Sequence, residues 1–221
     1  MMRRRRTRQF AVIGLGRFGT SVAVTLYRLG HEVLAVDRSE QRVQEVAAEV
    51  THAVQADGTD EAAMRSLGLR NVDVVVVGIG DVESSILCTS LAKSMGVPHV
   101  VAKATSELHG RVLERVGADR VIYPERDMGV RVAHNLVSGN LIDYIELAPG
   151  YSIVEVVARE PFAGRNLREL DLRAKYGIHV LALRRGDQIV VAPGGDAVIQ
   201  PGDILVAMGE DERLEELEQA P

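Results

Sequence analysis

One cysteine, Cys88, is all that the 221 residues contain, and a lone thiol forms no intrachain disulfide. The N-terminus also lacks the apolar core of a signal peptide, so the reducing cytoplasm is the expected compartment. Long apolar runs are missing too. The run from Val72 to Ile79 is interrupted by Asp73 and Gly78, whereas a bilayer span needs about 20 apolar residues, so no segment is expected to cross a membrane unaided. An excess of basic charge is absent: the net charge of −5 argues against nucleic acid as the main partner. The exception is local, a basic tail over residues 1–9 that opens MMRRRRTR and reads as a solvated segment, with contact to an anionic lipid leaflet or to nucleic acid as the alternative. What is present, 46% hydrophobic and 26% charged residues at a mean hydropathy of +0.03, describes a soluble globular protein of one large or two small domains.

Along the chain, β-rich apolar runs alternate with amphipathic ones. FAVIG (10–14), EVLAVD (32–37), HAVQAD (52–57), DVVVVGIG (73–80), HVVAKA (99–104) and DRVIYP (119–124) read as strands, and the segments between them carry apolar residues at helical spacing. Strands without polar residues on either face need helices on both sides of their sheet. The expectation for 10–126 is therefore an α/β domain, a doubly wound Rossmann-like parallel sheet. Gly30, Gly68, Gly96 and Gly117 stand where helices end, and Ser39 and Asp60 where N-caps belong. After Pro124 the periodicity changes. Residues 127–147 read as a helix leading away from the sheet, with 127–143 as the linking helix proper, and 144–221 as a small α+β domain. Its strands are SIVEVVA, HVLALRR, QIVVAP and DILVAMG, with a short helix over Leu167–Tyr176.

GLGRFG, residues 14–19, lies between the first strand and the first helix, the context that makes a G-x-G-x-x-G run a nucleotide grip. Gly14 permits the tight turn, Gly16 lets a phosphate approach the backbone, and Gly19 lets the helix pack on the strand. Arg17 and Phe18 fill the loop; the Arg17 guanidinium can reach a terminal phosphate bidentately or face solvent. Asp37 ends the second strand, where a carboxylate accepts ribose hydroxyls and repels a 2′-phosphate, disfavouring NADP; its other role is to cap the next helix, which Ser39 can do instead. Asp57 and Gly58 end the third strand on the adenine side, and Gly78 and Gly80 end the fourth at the crevice where strand order reverses, or serve only turn geometry.

A dehydrogenase would need a second domain with an acid/base and substrate anchors, and the C-terminal part offers only His179, inside an apolar strand where a packed or edge residue is expected. There is no Walker lysine, no metal-ligand cluster and no Ser/His/Asp set at a recommending spacing. A small NAD-dependent oxidoreductase and an NAD-linked redox sensor remain the rival readings; a DNA-binding sensor would add a helix-turn-helix, and none is evident.

FAVIGLGRFGTSVAVTLYRLGHEVLAVD, QADGTDEAAMRSLGLRNVDVVVVGIG, VAKATSELHGRVLERVGADRVIYPERDMGVRVA and LRAKYGIHVLALRRGDQIVVAPGGDAVIQPGDILVAMG together resemble the Ktr/Trk-type regulatory subunits of potassium uptake systems, an RCK N-domain followed by an RCK C-domain. The resemblance implies a non-enzymatic gating subunit at the inner face of the cell membrane. Such subunits form a dimer-based octameric ring under a potassium channel or transporter, binding ATP or ADP, and in some cases NAD or NADH. It implies that Arg17 approaches the γ-phosphate and that Asp37 and Arg38 meet the ribose and adenine edge. Asp57 and Gly58 would lie on the adenine side, with Lys103, Ala104, Thr105 and His109 forming the neighbouring wall. It further implies that Glu125 holds Mg²⁺ or Ca²⁺ near the nucleotide; on the residues alone Glu125 reads as a solvated partner of Arg126. Cyclic di-AMP binds the C-domain of several members, and Asn166, Arg168, His179 and Pro193 lie in the corresponding segments.

Overall fold

The structure is a computed structural model that describes residues 7–137, 141–158 and 162–219. It divides into two compact units, residues 1–125 and 126–221, described in turn.

The first unit alternates strand and helix: β1 (Gln9–Ile13), α1 (Arg17–Arg28), β2 (Glu32–Asp37), α2 (Glu40–Val46), β3 (His52–Gln55), α3 (Glu61–Ser66), β4 (Val74–Val77), α4 (Val82–Ser94), β5 (His99–Lys103), α5 (Glu107–Arg115) and β6 (Arg120–Ile122). The strands form one parallel sheet in the order β3-β2-β1-β4-β5-β6, reversing direction of growth between β1 and β4. Both faces are covered. Ala11, Ile13, Val75 and Val77 point into one cluster with Met64, Cys88, Ala92 and Leu113, whereas Val12, Val74 and Val76 point into another with Ala23, Val43 and Val46. That double burial explains why β4 is four valines in a row rather than an alternating strand.

Local chemistry agrees with this layout. The helix-ending glycines adopt positive φ, from 73° at Gly68 to 109° at Gly117. Side-chain caps hold four of the five helix starts: Ser39 for α2, Asp60 for α3, Asp81 for α4 and Ser106 for α5. Gly19 sets how closely α1 approaches β1, because a Cβ there would lie 1.9 Å from the Gly14 carbonyl oxygen.

The second unit holds one antiparallel sheet in the order β10-β9-β11-β8-β7, built from β7 (Leu141–Ala148), β8 (Tyr151–Val157), β9 (His179–Arg185), β10 (Gln188–Val191) and β11 (Ile204–Glu210). Helices α7 (Leu167–Leu170), α8 (Leu172–Tyr176) and α9 (Asp211–Gln219) accompany it, and its core gathers Val154, Val156, Leu170, Ile178, Leu183, Leu205 and Leu214. The helix read over 127–147 is corrected here. Helix α6 runs Pro124–Val137, and the residues from Leu141 onward are β7, not helix. The sequence LIDYIELA pairs with β8 across the Pro149–Gly150 turn, and that hairpin partner decides between two periodicities the segment satisfies. Three contacts fold α6 back on β7: an Arg131–Asp143 ion pair, a His134–Tyr144 stack with ring centroids 4.1 Å apart, and an Asn135 amide donated to the Ile142 carbonyl at 3.2 Å. The helix read over Leu167–Tyr176 is likewise two short helices, parted by Asp171 at φ 46°. Helix α9 was not foreseen from the sequence.

Asp203 is the polar anchor of this unit. It is 2% exposed and accepts from Arg185 Nε at 2.8 Å, Arg185 Nη2 at 2.7 Å and the Gln200 amide at 2.8 Å. The Arg185 guanidinium holds the Asp203 carboxyl below its ordinary value of 3.8. Because the folded value is the lower one, the stabilisation is present above pH 3.8 and is lost as pH falls through the folded value. Asp203→Asn should lower the urea midpoint at neutral pH and weaken the acid dependence of unfolding; unchanged acid dependence counts against this anchor. Gly19→Ala should cost about 1–3 kcal/mol in unfolding free energy, because two backbones must separate to admit the methyl group.

Candidate functional site

At the end of β1 the chain turns at Gly14, φ 94°, where a Cβ would lie 2.8 Å from the Ile79 amide nitrogen; a Cβ on Gly78 would lie 2.8 Å from the Gly14 carbonyl oxygen. The ends of β1 and β4 therefore touch backbone to backbone at the point where the sheet order reverses. The Leu15 amide donates to Asp37 Oδ2 at 2.6 Å, so a carboxylate buried at the end of β2 holds the loop in place. Asp37 Oδ1 accepts the Ser39 amide at 2.8 Å, and Arg42 Nη1 approaches Oδ2 at 3.4 Å.

Helix α1 is the exception among the five capped or uncapped helix starts of this unit. Its N-cap, Gly16, supplies no side-chain acceptor, and no acidic residue stands in its first turn. Its leading N–H groups and partial positive charge are left for an external anion. Gly16 itself has an ordinary φ of −69°, and a Cβ there would meet nothing within 4 Å. Internal packing accounts for Gly14, Gly19 and Gly78, but not for Gly16.

A cavity of about 430 Å³ opens at this loop. Gly14, Gly16, Arg17 and Phe18 line it from the loop, Asp37 and Arg38 from the end of β2, and Asp57 and Gly58 from beyond β3. Gly78 and Gly80 follow β4, Lys103 closes β5 and Glu125 follows β6, all lining the same space. The structure thus brings twelve of the sixteen candidates of the first unit to one cavity, and places the other four elsewhere in that unit. Gly19 lies beneath the loop; Ala104 is turned into the core, its amide bonded to the Ile122 carbonyl at 2.9 Å; Thr105 and His109 are not among the lining residues. Six further lining residues were missed. Ile13, Ala56 and Ile79 are apolar strand-end residues whose type carries no signal, whereas Arg42, five residues after Asp37, and the Asp81/Ser84 cap after GIG are motifs that could have been found.

The charges in the cavity are not equivalent. The Arg17 side chain forms no ion pair or hydrogen bond with another described residue and is exposed beside the α1 N-terminus. The Asp57 carboxyl is held below its ordinary range by the Thr59 amide and hydroxyl, and Asp81 by the Ser84 hydroxyl and amide, with Arg38 adding weaker attraction to both. Glu125 bonds Lys103 Nζ at 2.8 Å, and that ammonium is the main reason its carboxyl lies below the usual value. Among the described residues no three His, Cys, Asp or Glu side chains gather as a metal site. Glu125 alone does not make one; beyond the described residues, a divalent cation there would draw its other oxygens from phosphate, water or a second copy.

Two buried titratable groups of this unit are held inert. Burial pushes the Cys88 thiol up to about 12 and pulls His109 down, so the first is protonated and the second neutral at pH 7. His109 Nδ1 faces the Thr105 amide at 3.3 Å and its Nε2 is buried without a partner. In the second unit, Asn166 caps α7 by accepting the Glu169 amide at 2.8 Å, and Arg168 reaches Asp196 at 3.3 Å. Both are tied to the segment after Pro193, through the Asn166–Val198 bridge and the Arg168 amide to the Gly195 carbonyl. His179 belongs to a different place, a cavity of about 510 Å³ that it lines with Tyr151, Arg173 and Lys175. Asn166, Arg168 and Pro193 do not line that cavity.

Residues 10–124 match the TrkA-N domain and residues 151–220 the TrkA-C domain. Ktr system potassium uptake protein C of Bacillus subtilis is 47% identical over 203 residues, covering 91% of this chain and 92% of its own. Ktr system potassium uptake protein A of the same organism is 44% identical over 218 residues, 98% of each chain, and that of Vibrio alginolyticus 40% identical over 208 residues, 94% of each. Among solved structures, the GsuK RCK domain superposes with a TM-score of 0.53 over 96% of this chain at 22% identity, a likeness of fold alone. The chain spans 46% of that longer one. GsuK bound to ADP gives a TM-score of 0.51 at 25% identity over 59% of this chain and 34% of that one. A Rossmann-like domain followed by an antiparallel-sheet domain, matched end to end by such relatives, places this chain in the Ktr/Trk-type family of TrkA-N/TrkA-C proteins.

Proposed function

We propose that this chain is the nucleotide-sensing regulatory subunit of a potassium uptake system and performs no chemistry on the nucleotide. The observation that carries the reading is the α1 N-terminus: no side-chain cap, open space above Gly16 and an Arg17 without a partner among the described residues converge on one cavity. Hydrogen-bond donors and positive charge in that arrangement suit a polyphosphate. The names of the close relatives, potassium uptake proteins A and C, support the physiological role. A GsuK chain bound to ADP and another bound to NAD support the ligand class.

In this reading the ribose sits at Asp37. Of the four lone-pair directions of that carboxylate, three already accept from Leu15, Ser39 and Arg42, so one ribose hydroxyl finds a place on Oδ1 directly. A second is accepted only when Arg42, which is 54% exposed and only 3.4 Å away, gives way. Asp57 and Gly58 flank the base, and the phosphates pass over Gly16 to Arg17. ATP and ADP shift the subunit between two arrangements only to the extent that they bind them unequally. Arg17 is where the extra phosphate is felt. The subunit works in a dimer-based octameric ring, cytoplasmic and docked at the inner membrane face on its channel partner; among the described residues no helix is long and apolar enough to cross a membrane.

Calorimetric titration with ATP, ADP, NAD and NADH, with mass followed by light scattering, tests this. ADP and ATP should bind to a large assembly without turnover; selective NADH binding by a dimer would return the site to a redox sensor or oxidoreductase. Arg17→Ala should leave ADP affinity nearly intact and remove an ATP preference of about 5- to 150-fold. An equal loss for both nucleotides sinks the role given to Arg17. Gly16→Ala should melt like the wild type yet lose nucleotide binding, because only a ligand contests the space its methyl group takes.

A further inference from the structure

Lys103 closes β5 and Glu125 stands in the first turn of α6, across the cavity from Asp37. Their pair, at 2.8 Å, is lopsided: the lysine side chain is 12% exposed and the glutamate 68%. The ammonium is fixed in the wall, while its carboxylate partner has water to retreat to. In the sheet β5 is separated from β1 by β4 alone, so Lys103 lies two strand spacings, roughly 10 Å, from the glycine loop. A nucleoside with its ribose at Asp37 and its first phosphate over the α1 N-terminus extends its later phosphates along that line. On arrival the β-phosphate and the Glu125 carboxylate contend for one compact ammonium. Two anions side by side repel, and only one of them can leave for solvent without giving up the ligand.

We infer that Lys103 passes from Glu125 to the β-phosphate when nucleotide binds, so that the ion pair and the bound polyphosphate exclude one another. This rests on the nucleotide reading of the cavity. The released carboxylate stays at the N-terminal turn of α6, where the helix dipole favours it. Phosphate count is thereby converted into a change of charge pairing at the start of the helix that follows β6. The pair also sets affinity: it opposes ligands long enough to reach Lys103 and leaves shorter ones alone.

The test is the dissociation constant of the full chain for AMP, ADP and ATP, measured by calorimetry in a divalent-cation chelator. Glu125→Gln should tighten ADP and ATP by about three- to fivefold and leave AMP within about twofold, since it frees the ammonium from a competitor worth no more than a partly exposed ion pair. Lys103→Met, which keeps the apolar stem in the wall, should weaken ADP and ATP by about tenfold. In the double variant the gain from Glu125→Gln should vanish. Weaker ADP binding in Glu125→Gln, an equal change for all three nucleotides, or a gain that persists without Lys103 overturns the exchange. If the wild type binds none of the three, it is the nucleotide reading that fails; if it binds them but Glu125→Gln leaves the ADP-to-AMP ratio unchanged, only the exchange fails.

Discussion

The bond from the Leu15 amide to the buried Asp37 carboxylate, 2.6 Å long, joins the loop after β1 to the end of β2 and holds open the space that the rest of the first unit surrounds. A carboxylate taken out of water must keep its acceptors occupied, and the Leu15 and Ser39 amides do this from the protein side. Once the loop is held there, Gly14 meets Gly78 and Ile79 across the β1–β4 junction at distances no side chain tolerates. The crevice and the glycines are thus consequences of one geometric demand: two parallel strands that end together while their connections leave in opposite directions.

Around this frame the charges divide by task. The carboxylates that follow β3 and β4 are tied to backbone amides and hydroxyls and are built into turns, Asp57 with Thr59 and Asp81 with Ser84. On the α1 side the guanidinium of Arg17 has no such tie among the described residues, and the helix start beside it has no side-chain cap. Both are open to an anion, as the proposed function requires. The second unit solves a different problem, since a five-stranded antiparallel sheet in so short a segment has a modest core, and a fork from the exposed Arg185 to the buried Asp203 links β9 to the loop before β11.

Much of this was legible in the order of residues. The central strands β1, β2 and β4 are covered on both faces and read as apolar runs, and β2 and β9 have the bounds that periodicity alone assigns to them. Residues 141–147 were not legible, because IDYIEL fits a helical stripe as well as a strand, and only pairing with β8 selects the strand. Asp171 was invisible for a related reason: a single left-handed residue splits a helix without altering its apolar spacing.

For the site, the sequence by itself determined the chemistry on offer: the glycine loop, the acidic end of β2, and the absence of a foreseeable catalytic set in the C-terminal part. Those features are local, since a turn, a cap or a strand end is dictated by residues a few positions apart. Only the tertiary structure decided which distant groups share one space. It brought Lys103 and Glu125 together and to the cavity, set Arg42 on Asp37, turned Ala104 into the core, and parted His179 from Asn166 and Arg168. Parallel strands bring together residues separated by whole crossover connections, and no spacing along the chain records which way a side chain at the end of such a strand will face.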